Sequence, residues 1–253
     1  FLAELSKKLQ KDRRAMAYPD VLSFAFFCRK ANIAKLKAEF EDGNTRLGRG
    51  LAFHIAPSNV PVNAAFTYVF GLLAGNANVV RVSSKDFEQV RIICDVIQTM
   101  FDGGNYDEIR DMTAFVSYGR SQEINDELSL MANARIIWGG DATIAEIRKS
   151  PIGSRCTELT FADRYSFGIL NPMKIADDSE EEVKRLAEQF YNDTYLMDQN
   201  ACSTPHLILW KSDKSSKAEE GKKRFWNAVY KEAGKYDLAD IKVSDKYVMT
   251  CEY

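Results

Sequence analysis

One cysteine of this 253-residue chain stands where a nucleophile would be placed. Cys202 lies in Asp198-Gln199-Asn200-Ala201-Cys202-Ser203-Thr204-Pro205, a polar turn between a charged helical run and the apolar Leu207-Ile208-Leu209-Trp210. A thiol in such a turn is open to solvent, and small and amide neighbours let backbone N–H groups point at it and favour thiolate. Taken alone, a loop cysteine is more often one without a role. A second loop, Ala56-Pro57-Ser58-Asn59-Val60-Pro61, is stiffened by two prolines and followed by a helix. Its N–H groups and the helix dipole favour an anion or a polarised oxygen. Asn59 there is suited to hold a developing oxyanion, and would serve as well as a plain helix cap. Gly139-Gly140 lets a backbone approach a pyrophosphate closely, although two glycines alone are a weak signal. Lys85 is either a phosphate ligand or a solvated lysine, and Glu158 either a general base or a surface carboxylate.

The elements that must position these residues alternate in a regular rhythm. Short apolar strands are expected over Leu51–Ala56, Asn78–Val82, Met112–Tyr118 and Arg135–Trp138. Helices are expected over Val62–Ala74, Phe87–Phe101, Gln122–Met131 and Ala142–Lys149, the last capped by Asp141. This order predicts a parallel sheet covered on both faces, with ligands beyond the carboxyl ends of its strands. Three of those ends carry special residues: 57–61, 83–85 and 139–141. Upstream, helices are predicted at Phe1–Gln10, from Pro19 in a largely buried run, and at Ile33–Phe40. Downstream, Pro151–Arg155 reads as a linker and Glu158–Thr160 as a short extended piece. A strand Tyr165–Leu170, a helix Glu180–Tyr195, the Cys202 loop and a strand Leu207–Trp210 follow. Lys211–Lys223 reads as a charged surface stretch. Arg224–Ala233 then forms a helix with Phe225, Trp226, Val229 and Tyr230 facing in. Two domains result, residues 1–160 and residues 161–253.

Composition narrows the class. Apolar residues make up 45% and charged residues 28%, as in a soluble globular protein. A net charge of −2 with both signs interspersed gives no footprint for nucleic acid or an anionic membrane. Five scattered cysteines point to a reducing, cytoplasmic compartment, and two histidines without paired Cys/His spacing leave no zinc motif. No apolar run approaches the roughly 20 residues of a membrane span. The chain starts without Met and stops just after an incipient strand, Lys246–Thr250, so the C-terminal part of the second domain is expected to lie beyond Tyr253.

Together these features resemble the aldehyde dehydrogenase superfamily, and within it the LuxC-type acyl-CoA reductase branch. The resemblance is carried by Gly50-Leu51-Ala52-Phe53-His54-Ile55-Ala56-Pro57-Ser58-Asn59-Val60-Pro61, by Phe70-Gly71-Leu72-Leu73-Ala74-Gly75-Asn76-Ala77-Asn78-Val79-Val80-Arg81-Val82, and by Asp198-Gln199-Asn200-Ala201-Cys202-Ser203. It implies an α/β fold, with a Rossmann-like cofactor domain and a partial α/β catalytic domain. By that resemblance Cys202 matches the catalytic cysteine and Asn59 the oxyanion asparagine. Ala56, Pro57, Ser58, Arg81, Ser83, Lys85, Trp138, Gly139 and Gly140 become cofactor-binding candidates, with Pro57 and Ser58 on the nicotinamide side.

The departures carry information too. After the second strand the family usually has Lys-Pro-Ser-Glu, whose glutamate binds the adenosine ribose hydroxyls. Here Val82-Ser83-Ser84-Lys85 stands instead, and a lysine would attract a 2′-phosphate, so NADPH is expected over NADH. Glu158 matches the base of the hydrolytic enzymes, but Thr160-Phe161 replace the usual Gly-Gly, and a thioester reductase needs no base to activate water. The implied activity is reduction of an acyl thioester to an aldehyde through acyl-Cys202. The acyl donor would be acyl-CoA or an acyl-carrying partner enzyme, and the protein a homo-oligomer. The alternatives are an oxidative aldehyde dehydrogenase with Glu158 as base, or a non-catalytic relative serving assembly.

Overall fold

The apolar pentapeptide Leu-Ala-Phe-His-Ile forms the central strand of a parallel sheet, β1 (Leu51–Ile55). In a computed structural model the described residues are all except 163, 196–200, 213–214, 237–242, 245–246, 249–250 and 252–253. They fall into two compact units, Phe1–Asp163 and Arg164–Tyr253.

In the first unit β2 (Ala77–Arg81), β3 (Thr113–Val116), β4 (Ala134–Trp138) and β5 (Thr157–Phe161) join β1 in the order β3-β2-β1-β4-β5, every pair parallel. Strands buried on both faces need no alternation, which is why β1 and β4 are apolar apart from His54 and Arg135. On one face Phe53, Ile55 and Ile137 pack with Ile144 and Ile147 of α8 (Asp141–Ile147) and Leu128 of α7 (Gln122–Met131). The other face carries His54 and Asn78 and is covered by α4 (Asn63–Leu73). The remaining helices are α1 (Leu2–Lys11), α2 (Pro19–Phe27), α3 (Lys30–Phe40), α5 (Glu88–Asp102) and the short α6 (Asp107–Asp111). α2 opens on Pro19, where a missing N–H costs nothing.

Gly71 shows why the second motif has its composition. A Cβ there would overlap Asn78 Oδ1 and lie 2.9 Å from His54 Nε2. α4 therefore approaches β1 and β2 closely enough for those polar side chains to be sealed beneath it.

The second unit pairs β6 (Ser166–Leu170) in parallel with β7 (Pro205–Trp210). α9 (Pro172–Asp177), α10 (Glu180–Thr194) and α11 (Ser216–Ala233) pack Ile175, Val183, Ala187, Phe225 and Val229 against Leu170 and Trp210. A Ser179/Glu182 capping box starts α10, so the acidic run there serves the helix terminus. Arg224 closes the end of α9 by donating to the carbonyls of Ile175, Ala176 and Asp178 at 2.9, 2.7 and 2.8 Å.

Several expectations are corrected in detail. Gly140, not Asp141, is the N-cap of α8, and no side chain caps that end. α11 begins at Ser216, because the hydroxyl of Ser215 accepts from the N–H of Ala218 and starts the helix earlier than the charged composition suggested. Trp226 and Tyr230 lie at 43% and 83% exposure, so only Phe225 and Val229 of the expected inward face are buried. α2 is less sealed than its apolar composition implied: Phe26 is exposed, with the Arg29 guanidinium 4.7 Å above its ring. Tyr247 and Val248 are helical, and the rest of the strand expected over 246–250 lies outside the described residues. The helices α6 and α9 were too short for periodicity to reveal.

Candidate functional site

In a parallel sheet of this order the chain leaves β1 in one direction through β2 and β3, then returns to place β4 on the other side of β1. The loops after β1 and β4 therefore diverge to opposite faces and open a crevice at their carboxyl ends. Ala56, Pro57, Ser58 and Asn59 follow β1 directly, and Gly139 and Gly140 follow β4, so the structure brings these sequence candidates to one edge. Ala56 and Pro57 are half-buried, and Ser58, Asn59 and Gly140 exposed. The Gly139 N–H donates to the carbonyl of Phe161 at 3.2 Å. A Cβ on Gly139 would lie 3.0 Å from Thr143 Cγ2, so the glycine permits close packing of strand end on helix.

Beside them, β2 delivers Arg81, Ser83 and Lys85 to the same edge. The carbonyl of Arg81 accepts from the Ala56 N–H at 3.0 Å, and its guanidinium lies 4.5 Å above the Tyr118 ring. Lys85 is exposed, and its N–H donates to Ser83 Oγ at 3.1 Å, which folds the residues after β2 into a tight turn.

Glu158 stands apart from that edge. It is the second residue of β5, about 10 Å before the strand's carboxyl end at ~3.3 Å per residue. Arg135, 2% exposed, donates to its Oε2 from both Nε, at 2.9 Å, and Nη2. Arg148 Nε donates to Oε1 at 2.7 Å. The remaining Arg135 donor, Nη1, reaches Ser129 Oγ and the carbonyls of Ile147 and Ser150. Burial would raise the Glu158 pKa, but the hydrogen bonds from Arg148 and Arg135 outweigh it and hold the carboxyl below its ordinary value.

A polar group that sequence reasoning passed over lies beneath α4. His54 is 2% exposed, with Nδ1 2.8 Å from Thr67 Oγ1 and Nε2 3.0 Å from Asn78 Oδ1. Burial lowers its pKa to about 4, so it is neutral at ordinary pH. The available signals were a histidine and an asparagine inside two short apolar strands, which the register places two residues apart on one face. Such residues are kept inside only with hydrogen-bond partners.

The sign of the linkage follows. A histidine neutral in the fold and protonated on unfolding stabilises fully above pH 6.5, and that contribution is lost as pH falls towards 4. Between pH 6.5 and 5 the loss is expected to be about 2 kcal/mol. Urea unfolding at pH 7.5 and 5.0 measures it, and His54→Asn should flatten the difference.

In the second unit Cys202 is exposed, in a turn closed by the Thr204 N–H donating to the carbonyl of Ala201 at 2.9 Å. Two side chains pin this turn. Ser166 Oγ donates to the Cys202 carbonyl at 2.6 Å, and the buried Thr204 hydroxyl donates to the carbonyl of Asp193 near the end of α10 at 3.0 Å. The preceding Asp198, Gln199 and Asn200 lie outside the described residues. Beyond the turn, the β6–β7 register slips between Ser166 and Phe167, leaving His206 as an extra residue stacked on Tyr165 with centroids 5.3 Å apart. Cys251 is exposed too, whereas burial pushes Cys28 up to about 12 and Cys94 up to about 11 and raises Cys156.

A parallel five-stranded sheet of this order, joined to a smaller α/β unit, is the fold of the aldehyde dehydrogenases. PnpE from Pseudomonas sp. WBC-3 superposes with a TM-score of 0.65 at 15% identity, covering 94% of this chain and 50% of that one. Betaine aldehyde dehydrogenase from Staphylococcus aureus, solved with NAD+, gives 0.57 at 17% identity, covering 94% and 50%. The family model for acyl-CoA reductase (LuxC) matches residues 10–246, and the chain belongs to that family. A long-chain acyl-protein thioester reductase of Vibrio harveyi is 25% identical over 169 residues, 66% of this chain and 33% of that protein. The chain thus spans about a third of the curated relative and about half of the solved dehydrogenases. Among the described residues no helix is long and apolar enough to cross a membrane.

Proposed function

We propose that the chain carries the cofactor crevice and the nucleophile of an acyl-thioester reductase, with Cys202 forming a covalent acyl intermediate. The observation that carries this reading is the exposure of Cys202 in a turn pinned by Ser166 and Thr204, within a member of the LuxC family. The Cys202 thiolate attacks the acyl carbonyl carbon, forming a C–S bond and placing the electron pair on oxygen. The family resemblance assigns Asn59 and the Cys202 N–H as the donors to that oxyanion, each such donor supplying ~3 kcal/mol. When the oxyanion collapses, the carrier's thiolate departs and takes up a proton, leaving the acyl group on Cys202. On the likeness to the acyl-protein thioester reductase, the donor is acyl-CoA or an acyl group carried by a partner enzyme.

The residues at the carboxyl edge of β1, β2 and β4 fit a nicotinamide dinucleotide. The divergent loops give the crevice, Gly140, exposed and with open space where a Cβ would stand, the close backbone approach, and Lys85 a cation in reach of solvent at the end of β2. A bound NADPH would supply the hydride to the acyl carbon; the thiohemiacetal left on Cys202 then breaks its C–S bond, releasing the aldehyde and returning the Cys202 thiolate. Ala56, Pro57, Ser58, Trp138 and Gly140 line that edge, and Arg81 and Ser83 flank Lys85. Glu158 has no part in this scheme, because two guanidiniums occupy both of its oxygens.

Lys85 decides the cofactor in this account. A charge-assisted contact to the 2′-phosphate contributes about 1.5 kcal/mol, so Lys85→Ala should weaken NADPH about tenfold and leave NADH unchanged. Calorimetric titration of both variants with both cofactors checks this, and equal binding of NADPH before and after the substitution would refute it.

A further inference from the structure

The last residue of β4 is held from two sides. Trp138 Nε1–H donates to Thr67 Oγ1 at 3.3 Å, and its ring lies over Phe161 with centroids 3.9 Å apart and planes 9° from parallel. The stack alone fixes little, because Phe161 is 44% exposed at the outer strand of the sheet. The tether, by contrast, continues into the protein. Asn78 Nδ2 donates to the carbonyl of Asn76 at 2.7 Å, which leaves Asn78 Oδ1 facing the imidazole. His54 Nε2 therefore carries the hydrogen, and Nδ1 accepts from the Thr67 hydroxyl. Thr67, its own hydrogen spent on His54, presents a lone pair to the indole N–H. The donors then run in one direction, from Trp138 to Thr67, His54, Asn78 and the Asn76 carbonyl. Asn76 is anchored in turn, since its Oδ1 accepts from the Arg49 N–H at 2.7 Å. Reversing any link would set two donors or two acceptors face to face, so the chain has one arrangement.

We propose that Thr67 and His54 are positioning residues that hold the Trp138 indole in one orientation at the lip of the dinucleotide crevice. The inference rests on the cofactor reading given above. Trp138 directly precedes Gly139-Gly140 at the switch between β1 and β4, so a fixed indole gives a planar cofactor ring an apolar wall already in place. A rotating indole would have to be ordered at each binding event.

The test uses protein labelled with 15N-tryptophan, in which Trp138→Phe identifies one indole N–H among three. Thr67→Val, similar in shape but unable to accept, should move that resonance, speed its hydrogen exchange and raise the Kd for NADPH about fivefold. Thr67→Ser should restore all three. Trp138→Phe keeps the ring contact and leaves the buried chain intact, so it should weaken NADPH to the same extent, with no further loss when combined with Thr67→Val. An unmoved resonance in Thr67→Val overturns the tether. A moved resonance with unchanged NADPH affinity overturns the positioning role. Wild-type protein that binds neither NADPH nor NADH overturns the cofactor reading instead, and the resonance still tests the tether.

Discussion

Replacing Cys202 with alanine is expected to lower aldehyde formation from an acyl thioester by at least ~10⁴-fold, assayed in the complete natural chain with NADPH. The size follows from the role. A covalent nucleophile divides the reaction into two steps, and without it the hydride acceptor is never formed on the protein. Alanine removes only Sγ at an exposed position, and the pins on the turn use the Cys202 carbonyl and the Thr204 side chain, so the fold and NADPH affinity should be unchanged. Cys28 and Cys94 supply the internal control. Burial raises both thiols far above neutral pH, so their replacement should leave the rate within a few-fold. Residual activity of Cys202→Ala within tenfold of wild type would contradict the nucleophile assignment.

The second large effect falls on stability. Glu158→Gln should destabilise the protein by about 2–4 kcal/mol, because Arg135 would remain buried with a neutral partner in place of its carboxylate. Gln is close in shape, so the loss reports charge and hydrogen bonding rather than a cavity. The rate per folded molecule should hardly change. If Glu158 were instead the base of an oxidative dehydrogenase, the same substitution would also abolish aldehyde-dependent reduction of NAD(P)+ per folded molecule. Equilibrium unfolding beside steady-state kinetics separates the two outcomes. The pH dependence has the opposite window from a raised group. Since the Glu158 pKa is lowered in the fold, its stabilisation is complete above the carboxyl's ordinary value of 4.5 and fades as pH falls below it.

The parallel sheet was legible because its strands are short apolar runs separated by helices, and β1, β2, β4 and α7 fall within a residue or two of where pattern placed them. Termini shifted where a cap outweighed composition: Ser215 starts α11 inside what reads as a charged surface stretch. The candidates at strand ends were also legible, since glycine, proline and polar residues interrupt the apolar pattern there. Strand order was not, as nothing local records that β4 returns to the far side of β1. Nor was the partner of Glu158. Arg135 sits inside an apolar strand with no sequence neighbour to explain it, and the pairing appears only once β4 and β5 lie side by side. The same holds for His54 and Asn78, which face each other across β1 and β2 and are 24 residues apart in the chain.

The most direct test of the central claim is to incubate the complete natural chain with an acyl-CoA in the absence of cofactor, digest it and weigh the peptides. The account predicts a mass increment equal to the acyl group on the peptide containing Cys202 alone. It also predicts that adding NADPH discharges that increment with release of one aldehyde per acyl group. An unmodified Cys202 peptide while aldehyde is formed, or an acyl group carried on another residue and discharged at the catalytic rate, would contradict it.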